Sequence, residues 1–212
     1  MAYGVALRVW GDFACFTRPE MKVERVSYDV MTPSAARGIL DAIYWKPSIR
    51  WRIDRIHVMN PIRFFQIRRN ELSGVVSSRV ETAMKTGEPF YTTIEDHRQQ
   101  RAAMILRDVD YIIEAHFNYL SDTDRNDGKH LDSFRRRAIS GQCHHRPYLG
   151  CREFPCDFKW MDPSEIPDSE LGDRDLGWML WDVDFEDLSP MFFRADMKQG
   201  IVQVPDEGLV RR

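Results

Sequence analysis

At 212 residues the chain is long enough for one large domain, or for a domain with a small appendage. Hydrophobic residues make up 43% and charged residues 30%, a globular balance that excludes wholesale disorder and the collagen-like and coiled-coil classes. The net charge of −3 is an average over two unlike regions: residues 1–152 carry 24 Lys/Arg against 18 Asp/Glu, whereas residues 153–212 carry 6 against 15.

In chain order, Tyr3, Val5, Leu7 and Val9 alternate with Ala6, Arg8 and Trp10, which predicts a half-buried strand ended by Gly11-Asp12. Thr32-Pro33 supplies an N-cap and a proline at the first helical position. Ala36, Ile39, Leu40 and Ile43 then fall at i, i+3, i+4 and i+7, the stripe of an amphipathic helix of about three turns. Tyr44 closes its last turn on the margin of that stripe, and Pro47 stops it. Trp51 to Met59 alternates as a strand, and Ile62 to Arg69 makes another, with Arg63, Arg68 and Arg69 flanking Phe64 and Phe65. Residues 70–100 are polar and mixed, a long excursion with little structure of its own. Ala102–Leu106 and Asp108–Tyr119 carry the strongest strand signals, with Val109, Tyr111, Ile113, Ala115, Phe117 and Tyr119 at period two.

After the polar loop Ser121–Gly128 comes a short helix with Leu131, Phe134 and Ala138 on one stripe and Gly141 as its C-cap. A strand is expected within Tyr148–Phe158, and a hairpin over Met191–Val204 turning at Gln199-Gly200. Between them, residues 162–187 hold ten acids and one base, Arg174. The order strand, helix, strands, helix, strand points to an α+β, ferredoxin-like βαββαβ domain over residues 1–158, with a β-rich insertion. Residues 159–212 form a small, acidic, antiparallel β region. A charge split this sharp is the pattern of a basic binding body with an acidic appendage.

The chemistry is carried by few residues. Arginine supplies 24 of the 30 basic side chains, and its planar fork suits phosphates and stacks on bases, although genomic codon bias enriches it too. Four cysteines are too few for a disulfide scaffold. With no secretory signal in Met1 to Arg8 and no apolar run of about 20 residues, a cytoplasmic location is expected. Phosphate-loop, dinucleotide, zincin and nucleophile-elbow motifs are absent. Cys143, His144, His145, Cys151 and Cys156 are zinc-type ligands without zinc-type spacing. Asp122 to Gly128 alternates acids like a calcium loop but has Ser133 where the twelfth-position acid belongs.

Lys129-His130 sits at or just before a helix N-terminus, after a glycine, where backbone N–H groups favour an anion. A cation beside an imidazole can neutralise a phosphorane and move protons near neutral pH; the plainer alternative is two polar residues at a loop exit. Tyr44 reads equally as a half-buried aromatic. Arg135-Arg136-Arg137 faces away from the apolar stripe, either as a solvated face or as a phosphate-tracking surface beside Lys129-His130.

Taken in order, Tyr3 to Phe16, Ile43-Tyr44-Trp45-Lys46-Pro47, Asp124-Arg125-Asn126-Asp127-Gly128-Lys129-His130, and Tyr148-Leu149-Gly150-Cys151-Arg152-Glu153 with Cys156 resemble one family. It is the Dvulg-subtype branch of the RAMP superfamily in type I-C CRISPR systems, which processes CRISPR precursor RNA. The resemblance spans nearly the full chain. It implies an RNA-recognition-motif-like ferredoxin fold followed by a smaller β-sheet region. It implies endoribonuclease cleavage within the CRISPR repeat, at the 3′ base of its hairpin, with no metal and no cofactor. The product stays bound by its 5′ handle, so the partners are crRNA and the backbone and large subunits of the effector complex. Target DNA is met only through that assembly, and no membrane is involved.

The family's catalytic tyrosine, lysine and histidine match Tyr44, Lys129 and His130. Attack by the neighbouring 2′-OH gives a 2′,3′-cyclic phosphate and a 5′-OH, and needs a proton acceptor, a proton donor and positive charge. His130 and Tyr44 are expected to share the proton transfers and Lys129 to stabilise the phosphorane. A tyrosine near pKa ~10 is a poor base and a helix N-terminus favours the neutral imidazole, which favours His130 as the base, although either residue can take either role. Lys46, Arg63, Arg68, Arg69, Arg135, Arg136 and Arg137 are the RNA-binding candidates, on charge. The rival reading is a non-catalytic subunit that holds the 5′ handle, against which the retained trio speaks.

Overall fold

The structure, a computed structural model, describes residues 4–74, 78–184 and 186–211; Tyr3, expected in the first strand, lies outside them. Strand β1 (Val5–Ala14) continues through Gly11-Asp12 rather than ending there. The glycine serves close packing instead of termination: a Cβ on Gly11 would stand 2.7 Å from Leu149 Cδ1 and 2.9 Å from the Pro155 carbonyl oxygen. Helix α1 (Pro33–Ile43) begins as its sequence predicts, with Thr32 Oγ1 accepting the Ala35 N–H at 3.3 Å and Ala36, Ile39, Leu40 and Ile43 buried. Strand β2 (Ile49–Val58) follows.

The stretch 70–100 is more ordered than its composition indicates. Strand β3 (Phe64–Leu72) pairs residue by residue with the start of β4 (Arg98–Tyr119), from Phe64↔Leu106 to Leu72↔Arg98. Helix α2 (Arg79–Thr86) and the single turn α3 (Ile94–His97) lie between them. Both faces of the outer hairpin are largely solvated, so no polar-apolar alternation marks it in the sequence. The two expected strands around residue 107 are one, broken locally where Asp108 takes φ 53°.

Helix α4 (Asp127–Ile139) is followed by a compact loop in which Leu149 and Phe154 are buried. Gly150 in that loop has φ +83°, and a Cβ there would meet the Cys15 carbonyl oxygen at 2.1 Å. The strand expected within Tyr148–Phe158 forms later, as β5 (Asp157–Met161), so the expected boundary at residue 158 falls inside it. Strands β6 (Arg174–Val183), β7 (Pro190–Lys198) and β8 (Ile201–Gln203) complete the chain, with the predicted hairpin turn at Gln199-Gly200.

The result is a mixed α/β architecture on an antiparallel eight-stranded sheet ordered β5-β1-β4-β2-β8-β7-β6, with β3 paired to β4 off that path. On one face, Phe134 of α4 packs against Trp51 of β2 at 4.9 Å between ring centroids and against Trp160 of β5 at 6.2 Å. Strand β8 pairs with β2 (Ile56↔Val202), so the C-terminal strands continue the same sheet. Among the described residues no helix is long and apolar enough to cross a membrane.

Four of the acids in residues 162–207 form ion pairs within the chain. Asp173 pairs with Lys198, Asp175 with Arg194, Glu207 with Arg52, and Asp182 with both Arg37 and Arg50. The Asp182 side chain is 6% exposed and clasps β6 to α1 through two bonds to Arg37, one of them Nη2 to Oδ1 at 2.9 Å. Replacing Asp182 with alanine leaves the largely buried Arg37 with only Asp41, at 4.0 Å, and is expected to cost about 3 kcal/mol. The melting temperature should fall by roughly 6–12 °C in calorimetry; a shift below about 2 °C would show that the clasp contributes little.

Candidate active site

The site is built where the end of α1 meets the start of α4. Tyr44 donates its N–H to the Leu40 carbonyl at 2.8 Å but leaves the helix with φ −148° and ψ 111°. This extended backbone turns its phenol inward, to 3% exposure, and leaves the next residue, Trp45, 54% exposed. From β2, Trp51 Nε1 donates to the Tyr44 carbonyl at 2.9 Å and holds the turn.

At the other helix, the Asn126 side chain accepts the Lys129 N–H at 3.0 Å, so Lys129 and His130 lie within the first turn rather than ahead of it. His130, Phe134 and Ala138 recur at i, i+4 and i+8 and are all buried. His130 therefore occupies a core position, fully buried among the rings of Phe117, Tyr119 and Tyr44 at 5.6–6.0 Å. Lys129, one residue earlier, points outward with its side chain 53% exposed.

Both His130 nitrogens are engaged. Nε2 lies 2.8 Å from the Asp124 carbonyl oxygen, which only accepts, so Nε2 carries a proton. Nδ1 lies 2.8 Å from Tyr44 Oη; in the neutral ring it is a lone pair, and the phenol donates to it. Burial raises the Tyr44 pKa against the opposing effects of the Ser133 hydroxyl and the Lys129 charge, which keeps it a protonated donor at neutral pH. Lys129 Nζ bonds Asp124 Oδ1 at 2.6 Å. That bond raises the ammonium pKa and holds the Asp124 carboxyl below its usual range, with further help from the Lys46 charge. The arrangement offers a buried proton acceptor, a phenolic donor and an exposed cation within one turn of helix.

Tyr44, Lys129 and His130 are thus brought together, with Lys46 close enough to act on Asp124. The Arg137 guanidinium lies 5.8 Å above the Tyr44 ring and donates to the Ile43 carbonyl at 2.9 Å, so it braces the site. Arg135 stacks on Trp160 at 5.7 Å and Arg136 is exposed. Arg68 and Arg69 lie on β3 and Arg63 just before it, all alongside the N-terminal half of β4. Arg68 pairs with Ala102 while Tyr119 packs on His130, a separation of up to roughly 55 Å along the strand. Arg63 pairs with Asp108, and Arg69 is occupied by Glu153 and the Phe154 ring.

Ser133 and Asp124 are the site residues that sequence reasoning missed. The i+3 spacing of Ser133 from His130 would have found the first; nothing periodic marks the second. The cysteine and histidine residues weighed for zinc are dispersed. Cys151 lies beside Thr17, Cys156 donates to the Asp157 carbonyl, and His144 accepts from Arg137. Among the described residues no three His, Cys, Asp or Glu side chains converge on a metal position.

A family model described as CRISPR-associated protein (Cas_Cas5), subtype Cas5d, matches residues 4–205. The CRISPR pre-crRNA endoribonuclease Cas5d of Mannheimia succiniciproducens is 56% identical over 216 residues, covering 97% of this chain and 96% of that protein. The protein of the same name from Thermus thermophilus is 42% identical over 221 residues, covering 95% and 91%. A crystal structure of a CRISPR-associated protein superposes with a TM-score of 0.72 at 25% identity, covering 99% of this chain and 96% of that one. A functionally uncharacterized protein, SMU1763c from Streptococcus mutans, shares the fold with a TM-score of 0.69 at 24% identity, covering 99% and 97%.

Proposed function

The chain belongs to the CRISPR-associated Cas5d family, and from that premise we propose that it is the endoribonuclease that cuts CRISPR precursor RNA within the repeat. We read β1, α1, β2, β4, α4 and β5 as a ferredoxin-like βαββαβ unit, which the neighbour order β5-β1-β4-β2 supports. That unit carries the RNA site, and the acidic strands β6 to β8 extend its sheet. The cut falls at the 3′ base of the repeat hairpin, and the crRNA stays bound by its 5′ handle beside the backbone and large subunits of the type I-C complex.

The observation that carries this reading is the 2.8 Å contact between Tyr44 Oη and His130 Nδ1, with the Lys129 ammonium on the next residue. In the proposed reaction the 2′-OH gives its proton to Tyr44 Oη as the phenolic proton passes to His130 Nδ1. The 2′-oxygen bonds to phosphorus, and the bond from phosphorus to the 5′-oxygen breaks. The 5′-oxygen takes a proton from water, and the imidazolium returns its proton to Tyr44 Oη as the phenolic proton passes on to solvent. Lys129 offsets the charge gathering on the phosphorane oxygens. Tyr44 serves as the link because its Oη is bonded to the enclosed His130 and its raised phenol pKa disfavours a free tyrosinate base.

None of these steps calls for a metal ion. Cleavage of the organism's own repeat RNA is therefore expected to proceed undiminished in excess EDTA, giving a 2′,3′-cyclic phosphate and a 5′-OH by mass spectrometry. Loss of cutting in EDTA, or a 3′-OH product, would overturn the mechanism.

A further inference from the structure

One residue, Asp124, touches both members of the Lys129-His130 pair with different atoms. Its carboxylate holds Lys129 Nζ at 2.6 Å, and its backbone carbonyl accepts from His130 Nε2 at 2.8 Å. The second carboxylate oxygen lies 4.0 Å from the same imidazole nitrogen. Asp124 also has φ 62°, the left-handed region that few residues other than glycine, asparagine and aspartate adopt. That backbone geometry is what lets one residue present carbonyl and side chain to neighbouring helix positions.

We propose that Asp124 is a positioning residue and a stand-in for the RNA phosphate. Its carboxylate occupies the Lys129 ammonium until a phosphodiester displaces it, while its carbonyl keeps the His130 proton on Nε2 and the Nδ1 lone pair toward Tyr44. The idea rests on the reading of Tyr44, Lys129 and His130 as the cleavage site. A phosphodiester carries the same single negative charge as a carboxylate and presents its own pair of acceptor oxygens. The pair to be broken is solvent-facing, with Lys129 53% and Asp124 38% exposed, and exposed pairs of this kind are weak enough to exchange. The carbonyl contact lies on the buried side and survives the exchange.

The two roles separate by substitution. Asparagine tolerates the left-handed conformation, so Asp124→Asn removes the charge and keeps the carbonyl in place; Asp124→Ala removes the charge and disfavours the conformation. Binding is measured with repeat RNA bearing a 2′-deoxy nucleotide on the 5′ side of the mapped cut. Asp124→Asn is expected to bind this RNA roughly two- to fivefold tighter than the unaltered protein at low salt, with the gain fading near 1 M salt as screening removes the competition. In single-turnover cleavage, Asp124→Ala is expected to be at least roughly tenfold slower than Asp124→Asn. Affinity of Asp124→Asn equal to or weaker than that of the unaltered protein overturns the stand-in role, and equal rates for the two variants overturn the positioning role. A merely structural residue would not tighten binding when altered. His130→Ala on the same RNAs keeps the two failures apart: if it cuts normally, the cleavage-site reading falls, whereas if it is inactive and the Asp124 variants behave as the unaltered protein, only the Asp124 proposal falls.

Discussion

His130→Ala is expected to slow single-turnover cleavage of the repeat RNA by about 10²–10⁴-fold, the usual contribution of a placed acid-base group. Affinity for the same RNA should stay within roughly twofold, since His130 is fully enclosed and presents no surface to a ligand. Alanine removes the imidazole that receives the Tyr44 proton and takes a hydrogen-bond partner from both Tyr44 Oη and the Asp124 carbonyl. Leaving those groups unpaired should cost about 1–3 kcal/mol of stability, so the assay belongs well below the melting temperature. Tyr44→Phe removes the link but leaves the imidazole, and should slow cleavage in the same direction with a smaller loss of stability. Cleavage by His130→Ala within about threefold of the unaltered rate would overturn the assignment.

Trp51→Ala is expected to cost about 3–5 kcal/mol and to lower the melting temperature by roughly 6–20 °C. Trp51 is 1% exposed and packs against Phe134 of α4 at 4.9 Å and edge-on to Phe117 of β4 at 5.6 Å. Its removal opens a void at the place where the sheet meets the helix that carries His130. Trp51→Phe separates packing from positioning. It keeps most of the apolar contact and loses only the Nε1 bond to the Tyr44 carbonyl, so stability should fall by about 1–2 kcal/mol. Cleavage should nonetheless fall by roughly tenfold or more, because small displacements of a reacting group are costly. A phenylalanine variant that melts lower but cuts at the unaltered rate would show that Tyr44 needs no support from β2.

Much of this was readable in advance, for local reasons. Thr32-Pro33 and the spacing of Ala36, Ile39, Leu40 and Ile43 define α1 because a cap and a stripe are properties of neighbouring residues. The hairpin at Gln199-Gly200 is local too, since it needs two residues that accept positive φ. The inner β3–β4 arm was expected as the strands Ile62–Arg69 and Ala102–Leu106, but its outer part, Asn70–Leu72 paired with Arg98–Gln100, was not readable. Its polar residues follow no alternation because most of the arm faces solvent, and its strands are joined by pairing rather than by burial. Gly11 looked like a strand end because glycine more often breaks a strand than accommodates a loop packed against it.

Helices α1 and α4, most strands, the split between a basic body and an acidic tail, and the adjacency of Lys129 and His130 were legible from the residues alone, whereas α2 and α3 were not. The sequence also placed Tyr44 with them, through the likeness of whole motifs rather than through any spacing. The folded chain was needed to show that Tyr44 and His130, 86 residues apart, meet at 2.8 Å, that His130 is a core residue, and that Asp124 holds its other nitrogen. It also showed Asp182 and its neighbours in the acidic region spent on internal arginines. The physical reason is the range of the interactions. Caps, stripes and turns are set within a few residues of chain, whereas the Tyr44–His130 contact exists only because two helices are docked on one sheet face through Trp51 and Phe134, and no local pattern encodes that distance.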